Sequence, residues 1–411
     1  MKLPELLMPA GNLETLKTAV IYGADAVYIG GEAFSLRAKA DNFDRAAMEE
    51  GLRFAHARGA KVYVTVNIFA HNADIHGAEA YLRELGEIGP DALIVSDPGI
   101  FSLCKRLIPD MELHISTQMN NTNYETFRFW HELGAKRVVT ARELSLAEIR
   151  EIRERTPASL EIESFVHGAM CISYSGRCLL SSFMAGRDAN RGACTHPCRW
   201  KYALVEEKRP GSYYPIEEDE RGTYILNSKD LCMIGHLPEL IDAGVTSLKV
   251  EGRMKTQLYV ATVARTYRRA LDELKESEAL YRSHLPLYEA EVRRCTHRAF
   301  TTGFYFGKPD SDAQIYDSST YVHGSVYLGM AEQVFPENYC LIEQKNKFSV
   351  GDEVELIKPD FRSLPARVLG MRDYESGEEL SSCPHPKQKL LIKLDQTAEP
   401  YDIIRCQEQR A

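Results

Sequence analysis

At 411 residues and 46.5 kDa the chain is about twice the common single-domain length, so one large domain and one smaller one are expected. Hydrophobic residues at 44% and charged residues at 27% allow a real core and exclude a mainly disordered, collagen-like or coiled-coil chain. A net charge of −9 excludes a polycation, so any contact with nucleic acid must use a local basic patch.

From the N-terminus the predicted elements follow one rhythm. A strand at Leu6–Pro9 leads into helical spacing at Leu13–Tyr22, and then a pattern recurs: Gly, one or two small or polar residues, and an apolar β-branched run. It reads Gly23-Ala-Asp-Ala-Val-Tyr, Gly59-Ala-Lys-Val-Tyr-Val, Gly89-Pro-Asp-Ala-Leu-Ile, Gly134-Ala-Lys-Arg-Val-Val and Gly244-Val-Thr-Ser-Leu-Lys. Glycine just past a helix takes the left-handed conformation cheaply, and the apolar run suits a strand buried on both faces. With Leu113–Thr117 and Leu160–Phe165 this gives eight strands, beginning near residues 5, 26, 61, 92, 112, 137, 160 and 246. Helices are expected at Ala46–Arg58, Gly77–Leu85, Tyr124–Leu133, Leu146–Arg155 and Thr256–Lys275. The fold class is therefore α/β, a (β/α)8 TIM-like barrel over residues 1–307, with a doubly wound open sheet as the alternative. The long gap before the eighth strand predicts a Cys-rich insertion at about 167–245. From 318 to 411 short alternating segments, among them Gly324–Met330, Tyr339–Gln344 and Asp352–Ile357, predict a small antiparallel β-barrel domain. Acidic residues outnumber basic ones there, which turns attention to the first domain for phosphate contacts. No apolar run reaches the ~18 residues that span a bilayer, so no membrane partner is expected and the expected location is cytoplasmic.

In such a barrel the chemistry gathers at the C-terminal ends of the strands, and those ends are polar here: Asn67 and His71, His114 with Gln118, Arg142, Glu163 with His167, and Glu251 with Arg253. Each alone fits loop solvation or helix capping, whereas the set reads as a polar pocket. Cys171, Cys178, Cys194 and Cys198, spaced C-x6-C-x15-C-x3-C, supply enough thiolates for one metal centre. The spacing does not choose between zinc and iron–sulfur, and Cys232 is an alternative to Cys198. Two basic stretches adjoin the same end, one around Lys249, Arg253 and Lys255, the other around Arg177, Arg187 and Arg191. Interleaved aromatics, Tyr174, Phe183, Trp200, Tyr202 and Tyr259, suit base stacking in a flexible RNA loop. No H-E-x-x-H, G-x-S-x-G or P-loop is present.

The stretch Glu163-Ser-Phe165-Val-His-Gly168-Ala-Met-Cys171-Ile-Ser-Tyr-Ser-Gly176-Arg-Cys178-Leu-Leu-Ser181 resembles the signature of peptidase family U32, the collagenase-like family. The likeness extends to Pro9-Ala-Gly-Asn, Ser96-Asp-Pro-Gly, Arg142-Glu-Leu-Ser and Glu251-Gly-Arg, and the tail resembles that family's C-terminal β-barrel domain. Cys194-Thr-His-Pro-Cys198-Arg-Trp, with Asn227-Ser-Lys-Asp and Glu251-Gly-Arg-Met-Lys, is similar to the branch of bacterial tRNA hydroxylation enzymes. The resemblance implies formation of 5-hydroxyuridine at the wobble position, with prephenate as co-substrate and a 4Fe-4S cluster on Cys171, Cys178, Cys194 and Cys198. The implied partners are the tRNA anticodon loop and a second subunit, identical or paralogous. On this reading Arg37, Arg142 and Arg253 hold carboxylates, and Asn67, Gln118, Glu251 and Lys255 complete the substrate site. His71, His114, His167 and Glu163 are the catalytic acid/base expectations. The competing classes are a collagenase-like peptidase and a non-catalytic RNA-binding protein with a structural zinc.

Overall fold

The computed structural model describes residues 2–35, 42–171, 173–199, 203–205, 213–215, 227–308, 314–315, 324–383 and 385–407. Eight strands, Glu5–Pro9, Ala26–Gly30, Lys61–Val66, Ala92–Val95, Leu113–Ile115, Arg137–Val139, Glu161–Ala169 and Ser247–Val250, pair in parallel in chain order. The eighth pairs with both the seventh and the first, which closes a TIM-like barrel and rules out the open sheet. The five glycines read as helix ends, Gly23, Gly59, Gly89, Gly134 and Gly244, all have φ between +71° and +103°.

The helices after the third and fourth strands differ from expectation for local reasons. The former runs Asn72–Ile88, longer than Gly77–Leu85, because the His71 amide donates to the Asp74 carboxylate at 2.8 Å and opens the helix earlier. A helix at Pro98–Leu107 was not anticipated; Pro98 opens it and Asp97 Oδ1 accepts from the Ile100 amide at 3.0 Å. Asp97 is thus a cap.

Side chains alternate along each strand, so Glu5, Tyr63, Arg137, Glu163 and Ser247 share the barrel interior near its N-terminal end. Arg137, 3% exposed, donates to Glu5 at 2.6 Å, Glu161 at 2.6 Å, Glu163 at 2.9 Å and Ser247 Oγ at 3.2 Å. Tyr63 Oη adds a bond to Glu5 at 2.7 Å. Burial alone would raise the Glu163 carboxyl, but Lys249 and Arg137 outweigh it and hold the group at about 2.

The chain divides into two compact units. Met1–Val20, Ala24–Lys255 and Arg298–Tyr321 form the first; Ile21–Gly23, Thr256–His297 and Val322–Ala411 form the second. This division differs from the sequence boundary at residue 307 in that the helical segment Gln257–Val292 groups with the C-terminal barrel. Within this unit Arg265, buried on helix Gln257–Glu276, donates to Glu291 at 2.6 Å, Ser363 Oγ at 2.9 Å and the Arg362 carbonyl at 3.0 Å. Arg405 grips the other side of Glu291 at 2.9 and 3.1 Å. The second unit's six strands close antiparallel in the order Ser325–Phe335, Tyr339–Glu343, Lys389–Leu394, Ser363–Asp373, Glu353–Ile357, Ile403–Gln407. Leu328, Ile342, Leu356, Val368, Ile392 and Ile404 fill this barrel. No helix among the described residues is long and apolar enough to cross a membrane.

Candidate functional site

A cavity of about 130 Å³ opens at the C-terminal ends of the first barrel's strands. Its floor and walls come from alternate, inward-facing strand positions: Tyr28, Thr65, Ile94, Val139, Phe165 and Lys249. Asn67, Gln118, Arg142, Glu251 and Arg253, all expected from sequence, line it just beyond the strand ends.

Its cations are held in place. The Arg142 guanidinium stacks on the Phe165 ring at 3.9 Å, and Nη1 donates to the Ala169 carbonyl at 2.6 Å. Its Nη2 lies 3.5 Å from Glu251, and its buried Nε has no hydrogen-bond partner among the described residues. A guanidinium held at a cavity wall is suited to a carboxylate ligand. Arg253, 4% exposed, donates to Ser35 Oγ at 2.7 Å, Thr65 Oγ1 at 3.1 Å and Asn42 Oδ1 at 2.8 Å. Gly30 leaves the space for it, since a Cβ there would collide with the Arg253 guanidinium and Ser35 Oγ. Gly30→Ala is expected to leave melting within a few degrees while weakening carboxylate binding about tenfold, because flexible side-chain ends yield before the barrel does. Calorimetric titration beside thermal melting checks both halves.

The insertion after strand seven folds over this mouth. Gly176, at φ +73°, packs so closely that a Cβ would come within 2.8 Å of Phe69 and 3.1 Å of Gln118. Arg177 stacks on the Phe69 ring at 5.2 Å. These contacts bring Cys171, Cys178 and Cys194 onto the cavity wall. All three are reduced and at least partly accessible, and the His196 amide donates to Cys194 Sγ at 3.4 Å. Cys104 and Cys340 are different: burial pushes each thiol up to about 12, which suits core packing and not metal ligation. Cys198 sits in the turn Pro197–Arg199 and Cys232 on strand Asp230–Cys232; neither lines the cavity. Among the described residues no three His, Cys, Asp or Glu side chains gather closely enough for a single metal ion. A four-iron cluster asks for something wider, because each thiolate meets a different iron, and three accessible thiols on one wall fit that donor set.

The acid/base expectations fare differently. Glu163 and His114 lie below the cavity, in the barrel interior. Strand parity puts them on the inner face, but they precede the strand ends: Glu163 is the third residue of its nine-residue strand. His114, fully buried, bonds Glu112 at 2.9 Å and packs edge-on to Tyr63, and burial lowers its pKa, so its imidazole is neutral at pH 7. His71 is exposed at the start of helix Asn72–Ile88, and buried His167 packs its ring on Phe300 at 5.4 Å. Neither lines the cavity, and Lys255 does not either. Arg37, Trp200 and Tyr202 lie outside the described residues. Sequence reasoning named Lys249 only as part of a basic stretch; the alternation Ser247, Lys249, Glu251 was the signal that it faces inward.

A family model described as "Peptidase family U32" matches residues 11–315, and one described as "Peptidase family U32 C-terminal domain" matches 323–405. The chain is 42% identical to tRNA hydroxylation protein P1 of Bacillus subtilis, over 98% of this chain and 95% of that one. It is 40% identical to tRNA hydroxylation protein P of Escherichia coli, over 87% of this chain and 86% of that one. It is 37% identical to the 23S rRNA 5-hydroxycytidine C2501 synthase of Escherichia coli, over 77% of this chain but 47% of the relative. With both of its units matched by that family's models, this chain belongs to peptidase family U32.

Proposed function

We propose that this protein is an RNA-modifying enzyme that hydroxylates a tRNA uridine to 5-hydroxyuridine at the wobble position, with prephenate as carboxylate co-substrate. The observation that carries the reading is one cavity in which three accessible thiols share the wall with Arg142, Arg253 and Lys249. The names of relatives matching nearly the whole chain support the same class. Cys171, Cys178 and Cys194, with Cys198 as fourth, would hold a 4Fe-4S cluster, which supplies one-electron redox chemistry when bound. Arg142 binds a co-substrate carboxylate through its guanidinium at the cavity wall, and Glu251 helps to orient that guanidinium. Asn67 and Gln118 give neutral polar contacts at the rim; Ser96 Oγ fixes the Gln118 amide by donating to its Oε1 at 3.2 Å. The anticodon loop approaches over the insertion, where Phe183 is 89% and Leu179 67% exposed, beside exposed Arg177. A Cys–His nucleophile for the peptidase reading is not assembled among the described residues, where no histidine lines the cavity with the cysteines.

The test is nucleoside mass spectrometry of tRNA from a strain lacking the gene. Restoring the wild-type chain, but not Arg142→Ala, should bring back 5-hydroxyuridine; an unchanged tRNA profile on deletion would overturn the proposal.

A further inference from the structure

Beneath the described site lies an ion chain that runs from the closed end of the barrel to the cavity floor. Lys249 is 5% exposed, and its Nζ donates to Glu163 Oε1 at 2.6 Å. It stands 4.5 Å from the centre of the Tyr28 ring and 5.6 Å from that of Phe165. An ammonium has three N–H donors, and among the described residues one is taken by Glu163. The remaining two are left among aromatic faces at a cavity wall. The Phe165 ring has the Arg142 guanidinium 3.9 Å and the Lys249 ammonium 5.6 Å from its centre, so two cations converge on one apolar plate.

Glu163 does not reach the cavity. Its Oε2 accepts from Arg137 Nη1 at 2.9 Å and Ser247 Oγ at 3.3 Å, which leaves Oε1 for Lys249. Arg137 is in turn braced by Glu5 and Glu161. A flexible lysine stem is thereby given one fixed head position, by a carboxylate that cannot itself swing. Burying an ammonium is expensive unless it is paired, and a chain that only needed to fill the barrel would place an aliphatic residue here.

We infer that Lys249 and Arg142 form an anion-recognition pair that takes one carboxylate of a small co-substrate down onto the Phe165–Tyr28 floor, with Glu163 as the positioning residue for Lys249. This rests on the reading of the cavity as a co-substrate site. It adds which end of the molecule enters first: a carboxylate goes to the floor, and the rest of the molecule faces the cysteine wall.

The experiment is calorimetric titration of the full-length protein with prephenate, phenylpyruvate and malonate in turn, on wild type and on Lys249→Met, Lys249→Arg and Glu163→Gln. Loss of one charge-assisted contact should weaken binding by roughly 10- to 100-fold in Lys249→Met, with Lys249→Arg recovering most of it. Lys249→Met keeps Glu163 paired with Arg137, so its melting temperature and bound iron should stay near wild type. Glu163→Gln should weaken binding about tenfold or more and be rescued by no change at the rim. Wild-type binding of malonate or phenylpyruvate, without prephenate, would sink the prephenate assignment while upholding Lys249. Equal affinity of Lys249→Met and wild type, or no binding of any of the three by wild type, overturns the inference; unchanged affinity in Glu163→Gln overturns its positioning part.

Discussion

Replacing Arg137 by methionine should destabilise the first unit by about 3–5 kcal/mol, the usual cost of removing one partner from a buried ion pair. The magnitude follows from what is stranded. Glu5, Glu161 and Glu163 all lose a donor, and Glu163, 0% exposed, keeps Lys249 and Ser247 among the described residues. Thermal unfolding followed by circular dichroism should fall on the order of 10 °C for a unit of this size. A fall of less than a degree or two would mean that the network is not a stability element. The same group predicts the acid response. The Glu163 pKa is depressed from its ordinary 4.5 to about 2, so the stabilisation is fully present above pH 4.5 and is lost as pH drops toward 2. Arg137→Met should flatten that slope, because a carboxyl with one fewer cation titrates higher.

The second large effect concerns the cysteine wall and tests the cluster directly. Anaerobically purified wild type should show a broad absorption near 400 nm with about four irons per chain, and Cys171→Ala, Cys178→Ala and Cys194→Ala should each lose it. Cys104→Ala and Cys340→Ala should retain it, since burial holds those thiols protonated at neutral pH. The fourth ligand is decided by the remaining pair: Cys198→Ala should lose iron and Cys232→Ala keep it. Loss of tRNA 5-hydroxyuridine should follow iron across the series. Colourless wild type with one zinc per chain would instead return the structural-zinc RNA-binding reading.

Local chemistry made much of this protein legible in one dimension. The repeated glycines announce left-handed helix ends, and all five adopt them, because only the residue without a Cβ does so at little cost. Short apolar runs, most of them following a helix-ending glycine, place all eight strands to within a residue or two, and Cys171, Cys178 and Cys194 with Asn67, Gln118, Arg142, Glu251 and Arg253, all legible as polar or thiol positions at strand ends or in the insertion, line one cavity. What sequence could not carry was depth along the barrel axis. Strand parity tells which face a side chain takes, but how far it stands from the mouth depends on the register across eight paired strands. Glu163 and His114 were therefore expected at the mouth and lie beneath it, and Lys249, two residues before Glu251-Gly-Arg and legible only as part of a basic stretch, became a floor residue through pairing with strand seven. The ionic ties of Arg265 were hidden for the same reason, since its partners Glu291 and Ser363 are distant in the chain. Composition, caps and periodicity are local and survive in the sequence; depth, convergence and ionic partnership are set by closure, and closure exists only in three dimensions.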